Sequence, residues 1–288
     1  MSEFHQSNRT LSENYRSKLQ ASLDDLICLE NFPAPEKSNP QKFYLEFKNR
    51  ITPLVNTEIQ RLKDSLPHTD NCHLLLLNHS ALVDTTLQTS FRVAVWLYNQ
   101  THQKKLKPED TPIAVIARGG YGREEVYFRS DVDIQVVAKP DPTNEEAEDT
   151  EQIVKHLEYL FIHQNIFQTS ASSCYAEIDT VGKDLNTEKL PDFFSLLENR
   201  LVAGSNTIYA EFKSIVKTAA LLHRESLLKH CYQRKNCYDV RNTVFQQEPN
   251  VKEELRRLYW ALVLTRLKQD LERSNQFELL DELFDRGG

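Results

Sequence analysis

Glycine is scarce in this chain, and its distribution is the feature that most constrains the fold. The 288 residues contain seven glycines, and two of these are the last two residues. Three of the other five lie within four positions, at Gly119, Gly120 and Gly122. A chain with few glycines has few positions that accept a left-handed backbone, which favours helices over tight turns. The sequence therefore predicts a mostly helical protein with one unusual bend at residues 119–122.

The composition indicates a folded protein and argues against two classes of binding partner. Hydrophobic residues make up 40% of the chain and charged residues 27%, which is enough to build a core. The net charge of −7 argues against general binding to nucleic acids or to membrane surfaces. No apolar run reaches about eighteen residues, and the N-terminus lacks the apolar segment of a secretory signal. We therefore expect a cytoplasmic protein without a membrane partner.

The hydrophobic pattern divides the chain into three parts. Residues 1–76 are predicted to be helical, with prolines that break the region into short pieces. Residues 77–187 mix helices with short apolar strands, and residues 188–288 are again helical. The predicted fold class is α+β, with a small mixed sheet flanked by N- and C-terminal helical regions.

The individual elements of the central and C-terminal parts follow from periodicity and from turn residues. Two strands are predicted beside the glycines: a buried one over 112–118, and one over 131–137 with a single covered face. A third strand is predicted within 167–180, and helices over 78–100, 151–165 and 190–204. The acidic segment 140–150 is predicted to contain a turn and a helix start, and Gly204 to be the C-terminal cap of the last helix.

Two aspartates that are one residue apart follow the glycine bend. Because side chains alternate across a strand, Asp131 and Asp133 share a face, with about 6–7 Å between their Cα atoms. Neighbouring carboxylates repel each other unless a cation lies between them. Magnesium suits this pair, since it takes one or two protein carboxylates and leaves its other positions to water and substrate phosphates. Asp131 and Asp133 are therefore the predicted metal ligands and catalytic residues.

The glycines follow the predicted strand over 112–118 directly. The backbone N–H groups of Gly119 and Gly120 can approach a polyphosphate closely because no Cβ intervenes. Arg123 can add a bidentate phosphate contact, and Ser130 can donate a further hydrogen bond. These four residues are the predicted nucleotide-binding residues. The spacing of the glycines does not fit a P-loop or a dinucleotide-binding motif, and the combination predicts metal-assisted nucleotidyl transfer.

The stretch from residue 117 to residue 134 resembles the signature of the DNA polymerase beta-like nucleotidyltransferase superfamily. That signature is an apolar strand, Gly-Gly or Gly-Ser, about ten residues and then Asp-h-Asp-h, where h is apolar. The fuller string "GGYGREEVYFRSDVD" is similar to the PII-protein uridylyltransferases and their relatives. Three further segments also resemble this branch: "HSALVDTTLQ" (79–88), "SLLENRLVAG" (195–204) and "QEPNVKEELRRLYWAL" (247–262).

The resemblance implies that residues 77–187 form a polymerase beta-like nucleotidyltransferase core. Its reaction would move a nucleoside monophosphate from a nucleoside triphosphate to an acceptor hydroxyl and release pyrophosphate. The resemblance also implies Mg²⁺ as cofactor, UTP as donor and a tyrosine of a PII-like regulatory protein as acceptor. Uridylyltransferases of this kind carry HD hydrolase and ACT domains as well, and neither is recognised here, so we expect the transferring part alone.

The sequence allows two interpretations for each of several other residues. Much of the superfamily uses a third carboxylate from a later strand, for which Glu177 is the first candidate and Asp179 the second; either could instead be an exposed strand end. Arg200 could reach phosphate or ribose, or form a salt bridge with a nearby glutamate. Tyr121 could stack on a base or wedge the bend against the sheet, and Lys252 could contact the triphosphate or stay solvated.

A second function class also stays open. The chain could be a non-catalytic nucleotide- or partner-binding regulatory module derived from such an enzyme. The intact Gly-Gly and Asp-x-Asp motifs favour the enzyme. The unclear third carboxylate favours the module, as does the absence of a "GPGGLRD" stretch after "KEE" at 252–254, where the related segment has one.

Overall fold

The structure of the protein is a computed structural model that describes residues 3–29, 32, 40–139, 141–169, 175–177, 190–236, 263 and 265. Asp179 and Lys252 lie outside the described residues. Within them, eight α-helices and four strands follow in the order α1 (Glu3–Leu26), α2 (Gln41–Ser65), α3 (Cys72–His102), β1 (Ile113–Ala117), α4 (Gly119–Gly122), β2 (Ile134–Ala138), α5 (Asn144–Leu157), β3 (Tyr175–Glu177), α6 (Leu190–Leu197), β4 (Arg200–Gly204), α7 (Asn206–Leu222) and α8 (Arg224–Asn236). The predicted α+β class with a small mixed sheet is confirmed.

The N-terminal region contains two long helices, so the prediction of short pieces was wrong. Helices α1 and α2 have 24 and 25 residues, and Pro53 lies inside α2 without ending it. A proline inside a helix costs about 3 kcal/mol. Apolar side chains on both sides of Pro53 are buried and offset this cost, since tertiary packing supplies most of the stability of a helix. These side chains are Phe43, Phe47, Ile51, Val55 and Leu62.

Helix α3 is the central element of the fold. It has 31 residues and includes the whole helix predicted over 78–100. The side chain of Asn71 caps its start by accepting a hydrogen bond from the backbone N–H of Leu74 at 3.0 Å. Most of its side chains are buried, among them the polar residues His79 and Asp84. Such residues need partners inside the protein, and those of Asp84 bear on the site described below.

The four strands form one sheet with the order β3-β2-β1-β4. Strand β1 pairs antiparallel with β2 and with β4, whereas β2 pairs parallel with β3. Helices cover both faces of this sheet. Val115 and Val136 pack into the larger core, which the first helical layer of α1, α2, α3 and α5 completes. Ala114 and Val137 pack into a second core with residues of α6, α7 and α8, the second helical layer.

The prediction of a single covered face for the strand over 131–137 was therefore wrong. All five residues of β2 are buried. The misleading residue is Gln135, which is polar but only 5% exposed. Its side chain accepts a hydrogen bond from the guanidinium of Arg118 at 3.0 Å, and this bond offsets the cost of burying the amide.

The helix predicted over 190–204 also needs correction. Helix α6 ends at Leu197, and residues Arg200–Gly204 form β4 on the edge of the sheet beside β1. Val202 packs into the larger core and Leu201 against the second one, which is the alternation of a strand. Gly204 is not a helix cap: its φ is +90°, and a Cβ there would overlap the carbonyl oxygen of Ile113.

The remaining predicted elements differ from the structure mainly at their ends. Helix α5 begins at Asn144, within the acidic segment where a helix start is predicted, and Thr143 and Glu146 form a capping box there. A π-helical turn, Glu158–Ile162, follows it directly. Residues 167–169 and 175–177 of the predicted third strand are described. Thr169 forms an isolated parallel bridge with Val132, and Tyr175–Glu177 form β3. No helix in the described part of the chain is long and apolar enough to cross a membrane.

Candidate functional site

The fold brings the glycine bend and the aspartate pair to one end of the sheet. Because Ala117 pairs with Ile134 in the antiparallel ladder, the end of β1 lies beside the start of β2. The ladder continues one step further, since the backbone N–H of Arg118 donates to the carbonyl of Asp133 at 3.0 Å. A Cβ placed on Gly119 would lie 3.5 Å from Oδ2 of Asp133. The Asp133 carboxylate therefore lies against the bare backbone of the bend.

The two aspartates project from the same side of the chain. Val132 is 1% exposed and Ile134 is 5% exposed, and both belong to the larger core. Asp131 is exposed and Asp133 half-buried, which is the alternation that an extended chain produces. Both carboxylates thus lie on the side of the second helical layer. Val132 also donates its N–H to the carbonyl of Gln168 at 2.7 Å, which fixes the approach to β2.

This donor set fits a magnesium ion that keeps most of its coordination sites for water and phosphate. Among the residues that the structure describes, no group of three or more His, Cys, Asp or Glu side chains has a metal-binding arrangement. Asp131 and Asp133 supply two hard oxygen donors beside the bend, and one or two carboxylates are the usual protein contribution to a magnesium–nucleotide site.

The three glycines have different structural roles. Gly119 has a φ of +54°, the left-handed region that glycine accepts without a Cβ penalty. A Cβ on Gly120 would have only ordinary contacts, at 3.6 Å from the Glu125 carbonyl oxygen. A Cβ on Gly122 would overlap the carbonyl oxygen of Glu198 and lie 2.8 Å from its carbonyl carbon. The third glycine is therefore required because the chain after α6 packs directly on the bend.

Arg123, predicted to bind phosphate, is engaged by two acidic side chains. Its Nε donates to Oε2 of Glu125 at 2.8 Å, and its Nη1 pairs with Glu198. The side chain of Arg123 is 14% exposed, and those of the two glutamates are 6% and 4% exposed. Arg123 thus braces the bend against the end of α6, and a phosphate contact would require these pairs to open. Its phosphate-binding role, like that of Ser130, stays a prediction.

The sheet does not bring Glu177 to the aspartates. Strand β3 runs parallel to β2, and Glu177 pairs with Ala138, the last residue of β2. Asp133 immediately precedes Ile134, the first residue of that strand. The two ends of β2 are four residues apart, which is about 13 Å. The register therefore argues against Glu177 as a third catalytic carboxylate.

Directly behind the bend lies a charge cluster that the sequence analysis missed. Asp84 on α3 is fully buried. Its Oδ2 accepts from Nη1 of Arg200 at 2.8 Å and from Arg16 on α1 at 2.7 Å, while its Oδ1 accepts from Nη2 of Arg200 at 2.9 Å and from the hydroxyl of Tyr121 at 2.7 Å. We call these four residues the Asp84 cluster. It joins α1, α3, the bend and β4.

Electrostatics keep the Asp84 cluster ionised. Burial alone would raise the pKa of Asp84, but the two arginines outweigh it and the pKa is lowered. Burial alone would likewise lower the pKa of Arg200, but the charges of Asp84 and then Glu124 raise it. The cluster therefore contains a buried carboxylate and a half-buried arginine that are both charged at neutral pH.

The cluster decides between the two interpretations of Tyr121 and of Arg200. Tyr121 is 1% exposed, and its ring lies 5.2 Å from the guanidinium of Arg200, so it wedges the bend against the sheet and has no face free for a base. Burial and the charge of Asp84 raise its pKa well above the usual value. Arg200 forms a salt bridge, but with Asp84 rather than with a glutamate. The sequence feature that could have indicated this cluster is Asp84 itself, a single aspartate within a largely apolar stretch of α3.

Comparison with proteins of known function confirms the resemblance. The chain is similar to proteins named bifunctional uridylyltransferase/uridylyl-removing enzyme. The protein from Pseudomonas savastanoi is 24% identical over 226 residues, 76% of this chain, and the one from Idiomarina loihiensis is 26% identical over 149 residues, 50% of this chain. The one from Nitrosospira multiformis is 28% identical over 182 residues, or 62% of this chain. No family model matches the chain.

The similarity covers only a small part of each relative. The chain spans 23% of the Pseudomonas savastanoi protein, 16% of the Idiomarina loihiensis protein and 18% of the Nitrosospira multiformis protein.

Proposed function

We propose that the protein is a magnesium-dependent nucleotidyltransferase. Its reaction moves a nucleoside monophosphate from a nucleoside triphosphate to an acceptor hydroxyl and releases pyrophosphate. One observation carries the proposal: Asp133, the second aspartate of the Asp-x-Asp motif, lies against Gly119, the first residue of the glycine bend. The motifs are separated by ten residues of sequence, and the ladder between β1 and β2 closes that gap.

Each site residue has a defined part in this proposal. Asp131 and Asp133 would hold Mg²⁺, which when bound neutralises phosphate charge in nucleotidyl transfer. The backbone N–H groups of Gly119 and Gly120 would donate to phosphate oxygens, and Ser130 would add a hydroxyl beside them. The acceptor oxygen would form a bond to the α-phosphorus as the bond to the pyrophosphate oxygen breaks, and the hydroxyl proton would pass to water.

The donor and the acceptor are proposed from the resemblance. Relatives named for uridylyl transfer and uridylyl removal support UTP as the donor. The acceptor proposed is a hydroxyl of a regulatory protein of the PII kind.

The test is transfer of label from a nucleotide to an acceptor. The whole chain is incubated with MgCl₂ and each of the four nucleoside triphosphates labelled at the α-phosphate, with and without a PII-like protein. We expect label on the acceptor and release of pyrophosphate, and we expect Asp131→Asn or Asp133→Asn to abolish both. Asp110→Asn serves as the control, because Asp110 is exposed and precedes the opposite end of β1.

The two function classes give different results in this assay. Nucleotide binding that requires magnesium, without transfer of label to any acceptor, would favour the non-catalytic module. The position of Glu177 at the far end of β2 is the observation that speaks for that outcome. A chain that neither binds a triphosphate nor releases pyrophosphate would refute the proposed function.

A further inference from the structure

Arg118 lies beside the aspartate pair and on the same side of the sheet. In β1, Ala114 and Ile116 face the second helical layer, and Arg118 continues this alternation one residue past the strand. Its N–H bonds to the carbonyl of Asp133, so the two residues are opposite each other in the ladder. Directly opposite residues of an antiparallel pair project to the same face, with about 4.5–5.5 Å between their Cβ atoms. The Arg118 side chain therefore starts next to the Asp133 carboxylate.

The guanidinium of Arg118 has unused hydrogen-bonding capacity. It offers five N–H donors, and Nη1 donates to Oε1 of Gln135 at 3.0 Å. Its Nε is buried and has no hydrogen-bond partner. No acidic side chain in the described part of the chain forms an ion pair with it, whereas Arg123 is held by Glu125 and Glu198. A buried donor without a partner is costly, so the protein alone leaves the guanidinium incompletely satisfied. Arg118 as a whole is half-buried, so part of its side chain stays within reach of an anion.

We propose that Arg118, rather than Arg123, is the arginine that binds the polyphosphate of the nucleotide. This inference rests on the proposed function, and it assigns the charged contact of that site. A triphosphate whose metal ion is held by Asp131 and Asp133 must lie on their side of the sheet, where Arg118 also lies. The bond to buried Gln135 orients the guanidinium in advance, and its planar fork matches two phosphate oxygens.

The experiment uses inorganic tripolyphosphate with MgCl₂, a probe that does not depend on the identity of the base. Its binding to the whole chain is measured by calorimetry for the wild type, Arg118→Gln, Arg118→Lys and Arg123→Gln, together with thermal unfolding of each protein. We expect Arg118→Gln to weaken binding about tenfold to a hundredfold, because a hydrogen-bonded charge is lost. Arg118→Lys should lie in between, since it keeps the charge but loses the fork.

Arg123→Gln provides the contrast. It should lower the unfolding temperature, because Glu125 and Glu198 each lose an ion pair. The fraction that stays folded should lose less tripolyphosphate affinity than Arg118→Gln does, because only Arg118 is assigned a direct phosphate contact. If Arg118→Gln unfolds the protein, Arg118→Lys tests the role of Arg118 instead, and we expect it to lower the affinity for magnesium tripolyphosphate several-fold.

Two results would overturn the inference, and they are distinguishable. Equal binding of magnesium tripolyphosphate by the wild type and by folded Arg118 variants would refute the role of Arg118 and leave the proposed function standing. A wild-type chain that binds neither tripolyphosphate nor any of the four nucleoside triphosphates would refute both.

Discussion

Replacing Asp84 by asparagine tests whether the Asp84 cluster holds the bend in place. The substitution keeps the shape of the side chain and removes its charge. Asp84 accepts four hydrogen bonds, and three of them come from guanidinium groups. The asparagine would keep one oxygen and would point an NH₂ group at a guanidinium that is itself a donor. Arg200, whose side chain is 22% exposed, would then be a charge without its carboxylate.

The expected loss of stability follows from burial. Arg16 has a side chain that is 34% exposed, so water can solvate it and its share is small. The pair of Asp84 and Arg200 dominates, and removing one partner of a buried pair costs about 3–5 kcal/mol. That loss is a large part of the roughly 5–15 kcal/mol by which domains are stable.

The assay is urea unfolding followed by far-ultraviolet circular dichroism. The matched control is Asp24→Asn, because Asp24 and Arg92 form an ion pair with side chains 46% and 44% exposed, worth about 0–1 kcal/mol. A free energy of unfolding for Asp84→Asn within about 1 kcal/mol of the control would refute the role given to the cluster.

The pH dependence of unfolding gives an independent check of the same cluster. The pKa of Asp84 is lowered in the folded protein, so its stabilising contribution is present above the unfolded pKa of about 3.9 and is lost as the pH falls through the folded pKa. The wild type should therefore have a larger free energy of unfolding than Asp84→Asn at neutral pH, and this difference should disappear only in strong acid. An advantage that disappears near neutral pH would contradict this account.

Three further predictions concern single positions. Gly122→Ala should destabilise the fold by about 1–3 kcal/mol through overlap with Glu198, whereas Gly120→Ala should change the free energy of unfolding little; equal effects in urea unfolding would contradict the packing role. Gly119→Ala should cost about 1–2 kcal/mol, because its φ is positive, as measured in the same assay. Burial lowers the pKa of His156 to about 4, so the unfolded chain binds the extra proton and stability should fall by about 3 kcal/mol between pH 6.5 and 4. His156→Gln should flatten this slope, and an unchanged slope would locate the titration elsewhere.

The arrangement of the site could be predicted from local patterns, whereas its electrostatic support could not. Alternation along Asp131-Val132-Asp133 is a property of one strand, and the observed burial agrees with it. The antiparallel ladder between neighbouring strands then brings Gly119 to Asp133. The partners of Arg123, in contrast, include Glu198, which lies 75 residues away in the sequence. Spacing alone carries no information on such a pair.

The incorrect predictions of secondary structure also result from contacts between distant segments of the chain. The sequence pattern predicts one helix over 190–204, of which only Leu190–Leu197 is helical. The antiparallel partner that makes residues 200–204 a strand is β1, which lies far back in the chain. Gln135 suggested a solvent-exposed face, because its partner Arg118 belongs to a different strand end. Pro53 suggested a break, because the packing of α2 is a tertiary effect. In each case a contact between distant segments of the chain outweighs the local structural preference from which the prediction was made.

The support of the glycine bend by α1 bears on how small a working version of this protein can be. A fragment that began at residue 77 would retain the Gly-Gly and Asp-x-Asp motifs in full. It would leave behind Arg16 and also Arg9, which lies 2.5 Å from Glu124 at the end of the bend. Two carboxylates would then lack cations that the intact chain supplies. The Gly-Gly and Asp-x-Asp motifs are therefore not sufficient by themselves. Another protein that received them would also need an element that does what α1 does here.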